Sequence, residues 1–284
     1  MATPVAAPPA DVVAGDVARA LAEDLGSGDA TAQLLPDEGS QAYVIAKEAG
    51  VVAGRPWFDA CFLALDPAMQ IDWRVAEGQA VEAGTVLVVL RGRSRALVSA
   101  ERPALNFLQT LSATATRTAD YVAVLAGSRT RVLDTRKTLP GLRQAQKYAV
   151  RAGGGLNHRI GLYDAVMLKE NHIHAAGSIQ AAVAAARSLH PELPLIVEVE
   201  TLDELDQALA AGCDRILVDE FSEADLREAV RRAAGRIPLE VSGGVTLERL
   251  RAIAATGVDY VSIGALTKHV QALDLSLRLG PPPR

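Results

Sequence analysis

Residues 131–174 read RVLDTRKTLPGLRQAQKYAVRAGGGLNHRIGLYDAVMLKENHIH. They hold five arginines, three lysines and three of the chain's five histidines, against only Asp134, Asp164 and Glu170. The stretch is net +5 in a chain whose formal charge is −5. An acidic protein that gathers its cations in one place directs them at something negative. These cations alternate with strand-like and helix-like apolar runs, which predicts a folded pocket for a small polyanion rather than a basic tail. Arg136 and Lys137 are adjacent and can address two different anions. Arginine suits bidentate recognition of a carboxylate or phosphate, and lysine acts as a compact point charge. Lys169 follows four apolar residues, so it is expected to be partly buried, with Glu198 or Asp219 as an ion-pair partner. His158 reads as a general acid/base or, in preference, as a hydrogen-bond donor to a carboxylate. Gly153, Gly154 and Gly155 imply either mobility or a close approach. His172 and His174 have no third metal ligand at sensible spacing and read as supporting residues. Arg143, Lys147 and Arg151, at helical spacing, read as a surface or dimer-facing stripe.

The elements that position these groups follow from the hydrophobic pattern. From Arg131 onward, β-branched runs alternate with helical runs: RVLD, AVMLK, LIVEVE, RILVD, LEVSG and YVSIG, each followed by a helix, the last one terminal. Strand–helix alternation indicates parallel β/α units. Thr201, Gly212, Asp214 and Val218 recur as Thr246, Gly257, Asp259 and Ile263 at a constant shift, which marks an internal repeat. No Rossmann glycine fingerprint is present, so a barrel is favoured over a dinucleotide-binding sheet. Function in a barrel collects at the C-terminal strand ends. Those ends carry Arg136, Lys137 and Lys169, then Glu198, Glu200 and Asp219, then Ser242-Gly243-Gly244 and Gly264. The Ser-Gly-Gly loop precedes a helix and is expected to bind phosphate. Glu198 and Glu200 share a face if their strand continues that far. With Asp219 they would hold Mg²⁺ or stabilise a developing cation.

The first part of the chain reads as a helix over 11–25, strands over 41–48 and 51–53, a helix over 56–65 and a small β-meander over 71–91. A long helix is expected over 104–126, opened by Pro103, since proline suits the first helical turn. Aromatics make up 4% of the chain, too few for stacking platforms on single-stranded nucleic acid. Cys61 and Cys213 lack metal-site spacing and read as buried thiols in a reduced compartment. No run reaches the length of a membrane span, and the N-terminus lacks the pattern of a secretory signal. The expectation is a cytoplasmic protein with no membrane and no nucleic-acid partner.

TRKTLPGLRQAQKYAVRAGGGLNHRIGLYDAVMLKENHI resembles the signature of the quinolinate phosphoribosyltransferase family. The resemblance extends to EDLGSGDATAQLLP, ERPALNFLQTLS, VEVE with LVDEF, and VSGGVT with SIGALTKH, in the family's order. It implies an N-terminal α/β sandwich over 1–112, with 270–284 packing on it, and an incomplete (β/α) barrel over 113–269. It implies transfer of phosphoribosyl from 5-phosphoribosyl 1-pyrophosphate to quinolinate with decarboxylation, in NAD biosynthesis. It also implies Mg²⁺ and a homodimer with a shared active site. By the family pattern, Thr135, Arg136, His158, Arg159 and Lys169 bind quinolinate, and Arg102 reaches that site from the partner chain. Lys137, Glu198, Asp219, Ser242, Gly243, Gly244, Ile263, Gly264 and Ala265 bind phosphoribosyl pyrophosphate. Catalysis falls to Lys137, Lys169, Glu198 and Asp219, and the last two approach the metal through pyrophosphate and water. Glu220 stands where the family often has Asn. The alternatives are a molybdenum-transport-associated relative of the same fold and a non-catalytic sensor of the same ligands. Retention of Arg136, His158, Arg159 and Lys169 speaks against the first. Retention of Glu198 and Asp219 speaks against the second.

Overall fold

The structure is a computed structural model and describes residues 5–283. Its elements in chain order are α1 (Ala10–Leu25), β1 (Gly39–Ala46), β2 (Gly50–Val51), α2 (Arg55–Leu65), β3 (Gln70–Trp73), β4 (Ala80–Val81), β5 (Val86–Arg93) and α3 (Ser94–Val124). They continue with β6 (Arg131–Leu133), α4 (Arg143–Ala152), β7 (Val166–Leu168), α5 (Glu170–Ala176), α6 (Ile179–Leu189), β8 (Leu195–Val199), α7 (Leu202–Ala211) and β9 (Arg215–Asp219). The last are α8 (Glu223–Ala233), β10 (Leu239–Ser242), α9 (Leu247–Ala254), β11 (Tyr260–Ser262), α10 (Ala265–Lys268) and β12 (Leu275–Leu279). Two compact units result. One joins the described residues up to Ala119 to Thr138–Gly154 and to Leu266 onward; the other is Asp120–Lys137 with Gly155–Ala265.

The first unit holds an antiparallel sheet in the order β12-β1-β5-β3 and a small β2–β4 ribbon. Its core includes the fully buried side chains of Trp57, Phe58, Phe62, Leu87, Leu90, Leu97, Leu105, Leu108 and Leu111. Two sequence expectations need correction here. Helix α3 begins at Ser94 rather than Ala104, so Pro103 lies inside it. Leu97, Ala100, Ala104, Leu105 and Leu108 are all buried in the core. That continuous apolar stripe outweighs the one backbone bond proline cannot make. The expected terminal helix is only the short α10, and the chain then adds β12 antiparallel to β1, with Leu275 and Leu277 opposite Ala46 and Val44. Alternation in LDLSLRL is the strand period, which satisfies that sheet edge. A third correction concerns α4. Lys147 is buried at 2% exposure, so Arg143, Lys147 and Arg151 do not form a surface stripe.

In the second unit six parallel strands run in the order β6-β11-β10-β9-β8-β7. Chain-consecutive strands are neighbours, except that the first, β6, pairs with the last, β11. That pairing is the signature of a barrel left open between its first and second strands. The opening is partly lined by Leu156, which bridges Leu133 in parallel and exchanges backbone bonds with Val132 and Asp134. The internal repeat has a structural reason. Gly212 and Gly257 turn with positive φ after α7 and α9. The following Asp214 and Asp259 carboxylates accept the N–H of Leu195 and Leu239, at 2.6 and 2.9 Å, at the start of a neighbouring strand. Thr201 N-caps α7 through the Glu204 N–H, and Thr246 stands at the same place before α9.

Candidate active site

Alternate strand residues share a face, and the parallel register carries that face from strand to strand. Glu198 pairs with Leu217, and two residues on, Asp219 pairs with Ser242. Two residues before Ser242, Glu240 pairs with Tyr260, and Ser262 pairs with Leu133. The opposite face carries Val132, Val197, Val199, Ile216, Val218, Val241 and Val261, all buried. The polar face is therefore the barrel interior, and its upper layer is the row of strand ends read from the sequence.

Short contacts knit that row together. The Lys169 Nζ donates to Glu198 Oε2, and the expected ion pair is present. Lys169 is half-exposed at the mouth while Glu198 is mostly covered. Gly243 and Gly244 both have positive φ. A Cβ on Gly243 would lie 3.0 Å from Asp219 Oδ1, so the glycine loop lies directly against that carboxylate. A Cβ on Gly264 would meet Lys137 Cδ at 2.8 Å and Thr135 Oγ1 at 3.5 Å. The Lys137 side chain thus runs across the bare backbone of Gly264. The Lys137 N–H donates to Thr135 Oγ1 at 3.1 Å, which fixes the loop after β6. Ile263 donates its N–H to Leu133 O at 2.9 Å, and Ala265 begins α10 directly after Gly264.

Arg159 comes from the segment that lines the barrel opening. Its guanidinium donates to Ala165 O at 3.2 Å and faces Met167 Sδ at 3.8 Å. Burial, with the neighbouring Arg136 cation, holds its pKa below the ordinary arginine value, partly opposed by Asp164. Two guanidiniums that repel one another at a half-open site favour an anion between them. The glycine triplet serves close approach. A Cβ on Gly153 would collide with the Ala115 carbonyl oxygen and Thr118, and Gly154 turns with φ +88°.

His158 is buried, and both ring nitrogens face protein groups. Nδ1 accepts the Arg159 N–H at 2.6 Å, and Nε2 lies 3.4 Å from Glu240 Oε1. Glu200 departs from expectation. Strand β8 ends at Val199, so Glu200 leaves the face of Glu198 and its N–H is tied to Glu204 Oε2 at 2.8 Å. Arg102 lies in the first unit on α3, with its side chain 58% exposed and Glu101 at 3.8 Å. Among the described residues no cluster of three His, Cys, Asp or Glu side chains could by itself hold a metal ion. Glu198 and Asp219 supply two carboxylates at most. That donor set suits an Mg²⁺ carried mainly by phosphate oxygens.

The sequence matches the family model "Quinolinate phosphoribosyl transferase, C-terminal domain" over residues 114–278 and the corresponding N-terminal domain model over 29–112. The chain belongs to the quinolinate phosphoribosyltransferase family. It is 46% identical over 265 residues to a probable nicotinate-nucleotide pyrophosphorylase [carboxylating] of Synechocystis, covering 91% of this chain and 90% of that one. It is 42% identical to the Mycobacterium leprae nicotinate-nucleotide pyrophosphorylase [carboxylating], covering 95% and 98% of the two chains. The solved nicotinate-nucleotide pyrophosphorylase of Francisella tularensis superposes with a TM-score of 0.95 at 46% identity, over 98% of this chain and 99% of that one. The α/β fold with a small N-terminal sheet and a parallel-stranded C-terminal part is that of the family.

Three residues behind the family's signature positions escaped the sequence reading: Asp134, Arg215 and Glu240. Asp134 and Glu240 are both 0% exposed. A lone acid within or directly after an apolar strand, as in LEVS or RVLD, was the available signal, since buried acids need a partner.

Proposed function

We propose that the mouth of the open barrel is where this chain carries out its family's reaction. The phosphoribosyl group passes from 5-phosphoribosyl 1-pyrophosphate to quinolinate, and a carboxylate is lost. The products are nicotinate mononucleotide, pyrophosphate and CO₂, a step of de novo NAD biosynthesis. The observation that carries this reading is the sorting of charge along one face of the strand ends. Arg136 and Arg159 stand on the β6 side of the barrel opening and Lys169 follows β7 across it, Glu198 and Asp219 come next on β8 and β9, and Lys137 lies over Gly264 beside the glycine loops after β10 and β11.

Arg136, Arg159 and Lys169 hold the two ring carboxylates of quinolinate, with Thr135 beside them and His158 assisting. Arginine and lysine supply charge-assisted hydrogen bonds to carboxylate oxygens. Ser242, Gly243 and Gly244 with Ile263, Gly264 and Ala265 cradle the 5′-phosphate, where glycines let backbone N–H groups approach. Lys137 neutralises the phosphoribosyl donor. As the pyridine nitrogen forms its bond to C1 of the ribose, the C1–pyrophosphate bond breaks with its electron pair. The ribose then carries oxocarbenium-like charge, which Glu198 and Asp219 stabilise electrostatically. When the adjacent C–CO₂ bond then breaks, its electron pair stays on the ring carbon, stabilised by the neighbouring pyridinium nitrogen, and that carbon takes a proton from water in place of the carboxylate. Glu198 and Asp219 would hold Mg²⁺ through pyrophosphate and water, and the ion would supply charge neutralisation on the leaving group.

Two further features belong to this reading. Arg102, exposed on α3, reaches the quinolinate site of a second copy, so the working unit is a homodimer. The chain works in the cytoplasm. Both cysteines are buried free thiols, Cys61 pushed up to about 12 and Cys213 to about 11 by burial, and no helix among the described residues is long and apolar enough to cross a membrane. Hybrid dimers test the shared site. An Arg102→Ala chain mixed with a Lys169→Ala chain should regain activity that neither has alone. No rescue despite demonstrated subunit exchange would remove Arg102 from the partner's site.

A further inference from the structure

We infer that Glu240 is a positioning residue for quinolinate recognition, acting through the imidazole of His158 on the backbone of Arg159. It lies one layer below the site, two residues before Ser242, on the interior face of β10. Its carboxylate is fully buried, 3.0 Å from Arg215 Nη1 and 3.4 Å from His158 Nε2. The Arg215 guanidinium also stacks over the Tyr260 ring, 4.6 Å from its centroid. Burial pushes the Glu240 carboxyl up, but His158 and Arg215 more than offset this and hold it below the ordinary glutamate value. A buried ion group of this kind is weak as a stabiliser, because desolvation consumes most of the attraction. Its geometry suggests another purpose.

The imidazole is a relay with two ends. Nδ1 accepts the Arg159 N–H, so the ring proton sits on Nε2, facing Glu240. On its other side the segment is held by Asp134, whose two oxygens accept the His158 N–H at 2.8 Å and Asn157 Nδ2 at 2.6 Å. Asn157, His158 and Arg159 are therefore clamped between a carboxylate following β6 and a carboxylate within β10. Asp134 sets where the segment lies. Glu240 sets the tautomer and rotation of the ring, and through the Nδ1 bond the direction in which Arg159 leaves the backbone. This extends the preceding functional reading, since Arg159 is there a reader of the quinolinate carboxylates. His158 Nε2 thus faces a carboxylate of the protein itself, 3.4 Å away.

Glu240→Gln keeps the shape and removes the charge. The expected result is a Michaelis constant for quinolinate raised about tenfold, with that for phosphoribosyl pyrophosphate within about twofold of wild type and the melting temperature nearly unchanged. A folded variant with both constants at wild-type values, or with both raised together, overturns the inference. A second measurement needs no turnover and no variant that might misfold. Long-range ¹⁵N–¹H correlation of the wild-type histidines at neutral pH, with His158 assigned through its backbone correlations, should show Nε2 protonated and Nδ1 bare. A proton on Nδ1 overturns the inference even if the enzyme is fully active. An inactive wild-type protein with the expected tautomer would instead contradict the assigned reaction.

Discussion

Gly264→Ala separates the function of Lys137 from the stability of the fold. Gly264 is absent from the positive-φ residues, so an alanine fits its backbone without strain. The new Cβ would lie 2.8 Å from Lys137 Cδ, while the next nearest atom, Thr135 Oγ1, stands at an ordinary 3.5 Å. A normal carbon–carbon contact is about 3.5–4.0 Å, so the lysine stem must move by roughly 1 Å. Lysine bends readily, and the stability cost should stay below about 1 kcal/mol. Displacing a charge by about 1 Å from a reacting phosphoribosyl group costs far more, on the order of 10–100-fold in rate. The expected outcome is kcat/KM for phosphoribosyl pyrophosphate lowered by about 10–100-fold with a near wild-type melting temperature. In a Lys137→Ala background the same substitution should have no further effect, giving a coupling energy of about 1.4–2.8 kcal/mol. A further loss in that background would show that the alanine acts through something other than Lys137. Wild-type kinetics in the single variant would refute the placement of the Lys137 side chain across Gly264.

Other perturbations test separate parts of the account. Glu220 has φ +54°, a left-handed conformation that costs a glutamate about 1 kcal/mol; Glu220→Asn should raise the denaturant midpoint, and a lowered midpoint would count against strain there. Gly153→Ala should destabilise by about 1–3 kcal/mol in the same assay, because its Cβ meets the Ala115 carbonyl and Thr118; an unchanged midpoint would mean that this approach is loose. The Glu228 carboxyl is held down to about 2 by hydrogen bonds from Arg231 and Arg232. Its folded value lies below the ordinary 4.5, so its contribution is present above that pH and lost as pH falls toward 2. The melting difference between wild type and Glu228→Gln should accordingly shrink across that window, and a constant difference would contradict the pairing. Cys61 and Cys213 should resist thiol reagents at pH 8 until the protein unfolds; rapid labelling of the native protein would contradict their burial.

Much of the site was legible because its signals are local. Alternating strand and helix patterns located the strand ends and put Glu198, Asp219 and Ser242 there. The repeat of Thr, Gly and Asp marked real structural work, since Asp214 and Asp259 each receive a backbone N–H of a neighbouring strand. The features that were not legible depend on pairings between distant residues. Helix α3 runs through Pro103 because its flanking apolar residues share one core. Lys147 carries a charge that helical spacing alone assigns to the surface, yet its helix is packed nearly all round. Strand β12 does show the strand period in LDLSLRL, but the expectation of one more β/α unit overrode it. The contact between His158 and Glu240 joins residues 82 positions apart, and nothing near either residue announces the other.

The central claim is that the strand-end row transfers a phosphoribosyl group to quinolinate with loss of the carboxylate beside the ring nitrogen. Quinolinate carrying ¹³C in that carboxylate, incubated with the protein, phosphoribosyl pyrophosphate and Mg²⁺, tests it directly. The account predicts labelled CO₂, pyrophosphate and unlabelled nicotinate mononucleotide in equal amounts, all abolished in a folded Lys169→Ala variant. A folded wild-type protein that releases no labelled CO₂, or a nucleotide product that keeps the label, would contradict it.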